Sequence, residues 1–433
     1  MRHIKRTLRN GLVSKIMEYG CIGERLTHSF SKIIHSKIAD YSYELKEIEA
    51  RDLDSFMKAA DFKAINVTIP YKQAVIPYLY EISDTAKKIG AVNTIVNKGG
   101  RLYGYNTDYE GMRALIKRQG ADLKNKKVLV LGSGGTSKTA AAVAESLGAS
   151  EVLRVSRNGN DGAVTYGYAL AHHTDAGAII NTTPCGMYPN IGQTAIDLSL
   201  FPNLYSVTDA VYNPLSSALV TKAREKGINA VGGLYMLVAQ AVYASEKFTG
   251  NSISQSLTDS VYKTILLDKR NIVLIGMPGC GKTTIGKAVA METKKKFIDT
   301  DDEIVRKTGM LIPEIFKKFG EEKFREIESA VIKEVAALQS AVIATGGGAV
   351  LNRDNVALLK ENGITVFIDR PIDDLVTTDD RPLSSNRELL IKRYKERYGI
   401  YKSSAQAEIK AVKNLSENIN AVKEVFLNEN FGD

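Results

Sequence analysis

A chain of 433 residues exceeds one typical domain, and two or three are expected, each long enough to bury its own core. Its apolar fraction of 44% and charged fraction of 25% are ordinary for a globular protein, and they exclude a disordered or fibrous chain. The net charge of +9 invites a nucleic-acid reading, but no basic stripe interleaved with aromatics is visible, so small anionic substrates account for it better.

Arg2, Lys5, Arg6, Arg9 and Lys15 stand unopposed in residues 1–16. That segment lacks an apolar core and is not a secretory signal. A transit peptide is one reading. A basic extension ahead of a natural start at Met17 is the simpler one. The longest apolar stretch near a helix, Gly232–Ala244, contains Gln240 and is too short to span a bilayer, so no membrane association is expected. Cys21, Cys185 and Cys280 have neither zinc spacing nor a disulfide framework, which suits a reducing cytoplasmic setting.

Strand-like and helix-like segments alternate throughout, the mark of α/β architecture. In the first half, strands are predicted at Tyr19–Gly23, Ala64–Ile69, Val128–Gly132, Glu151–Ser156, Ala178–Thr182 and Ser206–Val211. Asn93–Tyr105, centred on Lys98-Gly-Gly-Arg101, reads as a hairpin. Helical periodicity runs over Ser137–Leu147 and Leu234–Lys247. Asn251–Asp268 reads as a last helix plus a short linker, with the main boundary near Leu267–Arg270. Beyond it, strands are predicted at Asn271–Ile275, Lys296–Ile298, Ala341–Ala344 and Thr365–Ile368, and a closing helix at Ser416–Asn428.

Val128-Leu-Val-Leu-Gly132-Ser-Gly-Gly135 is a strand entering a glycine turn before an Ala-rich helix, the context of a dinucleotide fold. Ser137 holds the place of the third glycine. The next strand ends Val155-Ser156-Arg157-Asn158, a cation where an NAD enzyme places an acid. A guanidinium suits a ribose 2′-phosphate; the alternative is a solvated arginine. Upstream lie four polar clusters: His28-Ser29-Phe-Ser31, Asn66-Val-Thr68-Ile-Pro-Tyr-Lys72, Gly90-Ala-Val-Asn93-Thr94 and Asn106-Thr-Asp108. Singly they read as turn formers. Together they offer hydroxyls, amides, one ammonium and one carboxylate, a set for a polyhydroxylated acid.

With Asn181-Thr-Thr-Pro-Cys-Gly-Met187, Asp209-Ala-Val-Tyr212-Asn-Pro214 and Gly232-Gly-Leu-Tyr-Met-Leu-Val-Ala-Gln240, these clusters resemble the shikimate dehydrogenase family across residues 17–268. The resemblance implies a two-lobed α/β dehydrogenase with a substrate lobe at 17–106, completed by 232–268, and a Rossmann-like NADP lobe at 107–231. It implies reduction of 3-dehydroshikimate by NADPH with Lys72 and Asp108 as catalytic pair. Ser29 and Ser31 would hold the carboxylate, Asn66, Thr68, Asn93 and Gln240 the hydroxyls, and Tyr212 would join them. Gly132, Ser133, Gly134, Gly135, Ser156, Arg157, Thr182, Met187 and Gly232 would take NADP(H). Departures from the family are Lys32 in place of proline, Ser133 in place of alanine, and Ser156 and Asn158 flanking Arg157.

Gly276-Met-Pro-Gly279-Cys280-Gly281-Lys282-Thr283 follows an apolar strand and opens a helix, as the P-loop pattern requires. Its amides converge on phosphates, Lys282 reaches the outer ones, and Thr283 suits Mg²⁺. Cys280 reads as a small filler. Phe297-Ile-Asp299-Thr-Asp301 ends the next strand with two carboxylates; Asp301 or Asp302 alternatively caps the following helix. Arg325 and Glu328 read as a helical pair, on the bland view a surface one of little worth. Thr345-Gly346-Gly347-Gly348 permits close backbone approach to a ligand. Arg381-Pro-Leu383 reads as part of a lid, and Arg397 adds a cation.

This set resembles shikimate kinase across residues 270–430, with a kinase domain at 269–433 of the P-loop NTPase type and a parallel sheet. The resemblance implies that Asp301, Arg325, Gly346, Gly347, Gly348 and Arg397 bind shikimate, with Asp301 also catalytic. Gly279, Cys280, Gly281, Lys282, Thr283, Thr284 and Arg381 would take ATP, and Thr283 and Asp299 Mg²⁺. The lid is short, with Asp379 and Asp380 leading directly into Arg381. The expectation is thus a bifunctional cytoplasmic enzyme whose partners are small molecules. The rivals are a kinase-like module that only binds, and a quinate-using, NAD-linked first half, which Arg157 disfavours.

Overall fold

The computed structural model describes residues 17–26, 30–375 and 387–428. The basic extension 1–16, Ser29, and the lid residues Asp379, Asp380 and Arg381 lie outside them. The described residues fall into two compact units, one within Met1–Glu110 and Gln240–Thr258, the other within Gly111–Ala239 and Asp259–Asp433. The second unit holds two sheets, so the glycine-turn sheet and the P-loop sheet belong to one body.

In the first unit, strands β1 (Tyr19–Gly23), β2 (Tyr43–Glu47), β3 (Ala64–Val67), β4 (Glu81–Ile82), β5 (Thr94–Lys98) and β6 (Arg101–Tyr105) form a mixed sheet in the order β2-β1-β3-β5-β6-β4. The hairpin β5–β6 pairs Lys98 with Arg101 across Gly99 and Gly100, whose φ values are 61° and 87°. Two consecutive left-handed residues match the twist of the flanking strands, which is why glycine occupies both. The edge strand β2 escapes the sequence pattern because Tyr-Glu-Leu-Lys-Glu has no apolar run.

In the second unit, β7 (Lys127–Leu131), β8 (Glu151–Ser156), β9 (Val164–Thr165), β10 (Ala178–Asn181), β11 (Ser206–Asp209) and β12 (Asn229–Val231) form a parallel sheet ordered β12-β11-β10-β7-β8-β9. The chain leaves β7 first to one side and then to the other, so the switch point lies between β7 and β10. In open α/β sheets ligands bind at that point, beyond the carboxyl ends of the strands.

The third sheet, also parallel, runs β14-β15-β13-β16-β17, from β13 (Asn271–Ile275), β14 (Lys296–Asp299), β15 (Ala341–Ala344), β16 (Gly363–Asp369) and β17 (Ala407–Lys410). β13, β15 and β16 are buried at every position, as central strands covered on both faces must be. The expected short linker before β13 is absent. The helix Gln255–Lys269 runs to within one residue, Arg270, of the strand. The helix Ile312–Ala336 is broken at Gly320 (φ 82°, ψ 176°), and its second half carries Arg325. Among the described residues no helix is long and apolar enough to cross a membrane.

Candidate active sites

The first unit gathers the polar clusters of the N-terminal half. Lys72 Nζ lies 2.5 Å from Asp108 Oδ2, with the two side chains 21% and 14% exposed. Asp108 sits in the first turn of the helix Thr107–Gln119, where the helix dipole favours a carboxylate. That turn is fixed by neighbours: Asn106 Oδ1 accepts from Tyr109 N–H, and Asn93 Oδ1 accepts from Thr107 N–H at 2.7 Å. Asn93 also accepts from Thr94 Oγ1, so its amide hydrogens are what it can offer a ligand. Asn66 is held by Tyr43, whose hydroxyl donates to Oδ1 at 2.7 Å, and its Nδ2 donates to Asn93 O and Thr94 Oγ1. Thr68 and Gln240 are half-buried in the same unit, and Ser31 opens the helix Ser31–Ile38. Burial pushes the Tyr43 hydroxyl well above its ordinary value and lowers His35, stacked on Tyr43 at 3.8 Å, to about 3. Both are therefore neutral packing groups. Neither carried a sequence signal, because burial is set by the sheet.

At the switch point of the second sheet, Gly132 has φ 126°, and a Cβ there would meet Thr182 Oγ1 at 2.5 Å. Thr182 itself is tied to β7, its Oγ1 donating to Leu131 O at 2.6 Å. Added Cβ atoms on Gly134 and Gly135 would meet nothing within 4 Å, and Gly134 supplies no side-chain cap to the helix Gly135–Ser146. The start of that helix therefore has open space beside it, which fits a pyrophosphate. Ser137 is fully buried, so it fills the third-glycine place without opening the helix–strand contact. Ser156 Oγ accepts from Gly159 N–H, shaping the turn in which Arg157 is exposed; Ser133, in the glycine turn, is exposed as well. Met187 is also exposed, and Tyr212 is half-buried. A Cβ on Gly232 would meet Leu215 O at 2.5 Å, so Gly232 acts by close packing.

Asp209, outside the expected set, is fully buried. It accepts from Asn181 Nδ2, Val211 N–H and Ser217 Oγ–H, and burial raises it to about 6 against those hydrogen bonds. It ties the loop after β11 to the strand.

In the third sheet the P-loop curls through Gly276, Gly279 and Gly281, with φ values of 149°, 79° and 100°. Lys282 Nζ donates to Gly276 O and Met277 O at 2.8 and 2.9 Å, so the loop is wrapped around its own ammonium. Thr283 Oγ1 donates to Asp299 Oδ2 at 2.8 Å, which places one hydroxyl and one carboxylate together as Mg²⁺ chemistry requires. Asp299 is the helix cap, accepting from Asp301 N–H; the expectation of Asp301 or Asp302 in that role is corrected. The cap precedes the helix by one residue, and Asp301 lies in the helix's first turn. Cys280 is fully buried filler, and Arg370, missed in the sequence, clamps it by donating to Cys280 O.

The triple glycine turn shows why three glycines are needed. A Cβ on Gly346 would meet Asp301 Oδ1 at 2.7 Å, one on Gly347 would meet Pro278, and one on Gly348 would run into the Arg325 guanidinium. Gly347 O accepts from Arg397 Nη1 at 3.2 Å and from Tyr401 O–H at 2.5 Å. Arg325 donates to Glu328 at 2.7 Å and to Glu321 at 3.0 Å. Glu328 is 1% exposed and the Arg325 side chain 24% exposed, so the pair is anchored in the interior and is not the surface pair of the bland view. Burial raises the Glu328 carboxyl and the Arg325 charge pulls it back.

These features define an α/β enzyme class, a dinucleotide-fold oxidoreductase joined to a P-loop kinase. Two family models match: "Shikimate dehydrogenase substrate binding domain" over residues 21–95 and "Shikimate kinase" over residues 278–426. A shikimate dehydrogenase (NADP(+)) of Clostridium perfringens is 37% identical over 266 residues, covering 57% of this chain and 97% of the relative. A shikimate kinase of Clostridium botulinum is 44% identical over 164 residues, covering 37% of this chain and 99% of the relative. The crystal structure of a chorismate mutase/shikimate 5-dehydrogenase fusion protein from Clostridium acetobutylicum is 35% identical, with a TM-score of 0.55, covering 58% of this chain and 97% of that one. The chain belongs to the shikimate dehydrogenase family in its N-terminal part and to the shikimate kinase family in its C-terminal part, and is a bifunctional enzyme of the shikimate pathway.

Proposed function

We propose that the N-terminal part reduces 3-dehydroshikimate to shikimate with NADPH, and that the C-terminal part converts shikimate to shikimate 3-phosphate with ATP and Mg²⁺. The proposed domains are 17–106 with 232–268 for substrate, 107–231 for NADP(H) and 269–433 for the kinase, in a cytoplasmic enzyme. One observation carries the assignment: motifs far apart in sequence close onto each other, Lys72 onto Asp108 and Arg325 and Arg397 onto the triple glycine turn.

NADPH supplies the hydride, and ATP with Mg²⁺ the phosphoryl group and its charge neutralisation. The protein's part in the first reaction is proton delivery. A ketone that accepts hydride becomes an alkoxide, and Lys72 Nζ gives it a proton while Asp108 keeps the ammonium in place. Asn66, Asn93, Thr68 and Gln240 orient the ring hydroxyls, with Ser31 on the carboxylate; Ser29 belongs to this proposed set. Arg157 offers its guanidinium to the ribose 2′-phosphate.

In the second reaction, Arg325 and Arg397 hold the shikimate carboxylate and Asp301 takes the proton of the accepting hydroxyl. Lys282 exchanges its two backbone carbonyls for phosphate oxygens. Thr283 and Asp299 hold the metal shell, and Arg381 completes the proposed ATP set. Lys282, Asp299, Asp301 and Arg325, present together, speak against a module that merely binds.

The test is the full chain given 3-dehydroshikimate, NADPH and ATP-Mg. Lys72→Ala should abolish NADPH oxidation and leave phosphorylation of added shikimate nearly intact, and Lys282→Ala should do the reverse. Loss of both activities in a folded Lys72→Ala protein would reject two independent sites.

A further inference from the structure

Hydrogen bonds that join the dinucleotide-fold sheet to the kinase sheet fall on a loop that the dehydrogenase uses. That loop, residues 210–216, follows β11, carries Tyr212 and leads to the helix Ala218–Glu225. Gln339 Nε2 donates to Asn213 Oδ1 at 3.0 Å, Leu215 N–H donates to Asn362 Oδ1 at 3.1 Å, and Ser216 N–H donates to Glu361 O at 2.8 Å. The turn after β10 is held from the same side. Ile191, 3% exposed, is part of the kinase's apolar core, and a Cβ on Gly192 would meet Leu358 at 3.1 Å.

The two faces of this seam differ in standing. On the dehydrogenase side it lies at the carboxyl ends of β10 and β11, the end of such a sheet where ligands bind. On the kinase side it lies at the amino ends of β15 and β16. Gln339 precedes Ala341, and Glu361 and Asn362 precede Gly363. The P-loop and the triple glycine turn leave the opposite ends of their strands. The kinase thus braces its neighbour with the end of the sheet that does no chemistry.

Asn362 is the centre of the brace. It is 1% exposed, and while its Oδ1 accepts from Leu215 its Nδ2 donates to Ala336 O at 3.0 Å. Removing it orphans two buried backbone groups, one on each side, at a real cost.

We infer that Gln339, Glu361 and Asn362 of the kinase domain are positioning residues for the dehydrogenase, holding the two loops of the NADP(H) lobe that carry Met187, of the cofactor set, and Tyr212, of the substrate set, in binding geometry. This rests on the proposed assignment of residues 107–231 to NADP(H).

The experiment uses the full chain with Asn362→Ala, Gln339→Ala, Asn213→Ala and the Gln339/Asn213 double variant. NADPH affinity is measured by fluorescence without turnover, amide exchange over residues 210–217 by mass spectrometry, and shikimate phosphorylation alongside. Asn362→Ala should weaken NADPH roughly 3- to 30-fold and speed exchange in 210–217, with kinase kcat and KM within about twofold. Gln339→Ala and Asn213→Ala should give smaller, equal effects that do not add in the double variant, as expected of partners in one bond. Unchanged exchange and NADPH affinity in every variant would overturn the inference, and so would a parallel loss of kinase activity, which would mean general loosening. If the unaltered protein failed to bind NADPH, the cofactor assignment would fall; faster exchange alone would still establish the brace.

Discussion

Gly348→Ala tests the proposed carboxylate grip at the kinase site. Gly348 has φ −102° and ψ −7°, a conformation alanine adopts freely, so the substitution carries no backbone strain. The added methyl would instead collide with Arg325, its Cβ falling 2.6 Å from Cζ and closer still to Nη1. Something must yield, and the far end of a long side chain yields most cheaply. The guanidinium would leave the place where Glu328 and Glu321 hold it. If that place is the carboxylate grip, the loss is one charge-assisted hydrogen bond to substrate, about 1.5–3 kcal/mol. That corresponds to a roughly 10- to 150-fold drop in kcat/KM for shikimate. The assay is shikimate saturation at saturating ATP-Mg, with NADPH oxidation as a control expected to hold; the thermal midpoint should fall, because the buried Glu328 loses its partner. An unchanged shikimate kcat/KM would refute the reasoning. A rise confined to the ATP KM would move the triple glycine turn to the nucleotide side.

Two further outcomes are expected. Arg157→Ala should weaken NADPH by about 1.5–3 kcal/mol, the worth of a hydrogen bond to a charged group, and barely alter NADH, whereas equal loss of both cofactors would show a structural arginine. Glu361 is buried, and burial lifts its carboxyl from 4.5 to about 8 against the pull of Gly192 N–H and Lys222. Arg224, Glu225, Arg270 and Lys360 line the same crevice. The folded state therefore keeps a proton that the unfolded chain releases between those pH values. Stability should fall as pH rises through that window, at up to about 1.4 kcal/mol per pH unit, and level off above it. Glu361→Gln should remove this slope from thermal midpoints taken between pH 5 and 8, and parallel profiles for the two proteins would refute the assignment.

What the sequence by itself determined is what local order writes. The P-loop, the Gly132 turn and the Lys98-Gly-Gly-Arg101 hairpin each need positive φ at stated places, and only glycine takes those without cost. β13 was legible because a strand covered on both faces must be apolar throughout. The functional residue types were legible too, since their chemistry lies in the side chain itself.

What only the tertiary structure decided is proximity and burial. Lys72 meets Asp108 from 36 positions away, and Tyr401 reaches Gly347 from 54. Glu328, a surface ion-pair candidate by its helical spacing, becomes a buried anchor because the triple glycine turn closes over it. The missing linker at Arg270 and the seam at Asn362 carry no motif at all. A linker is recognised by composition, whereas a brace is made of backbone groups and ordinary amides whose value comes entirely from what packs against them.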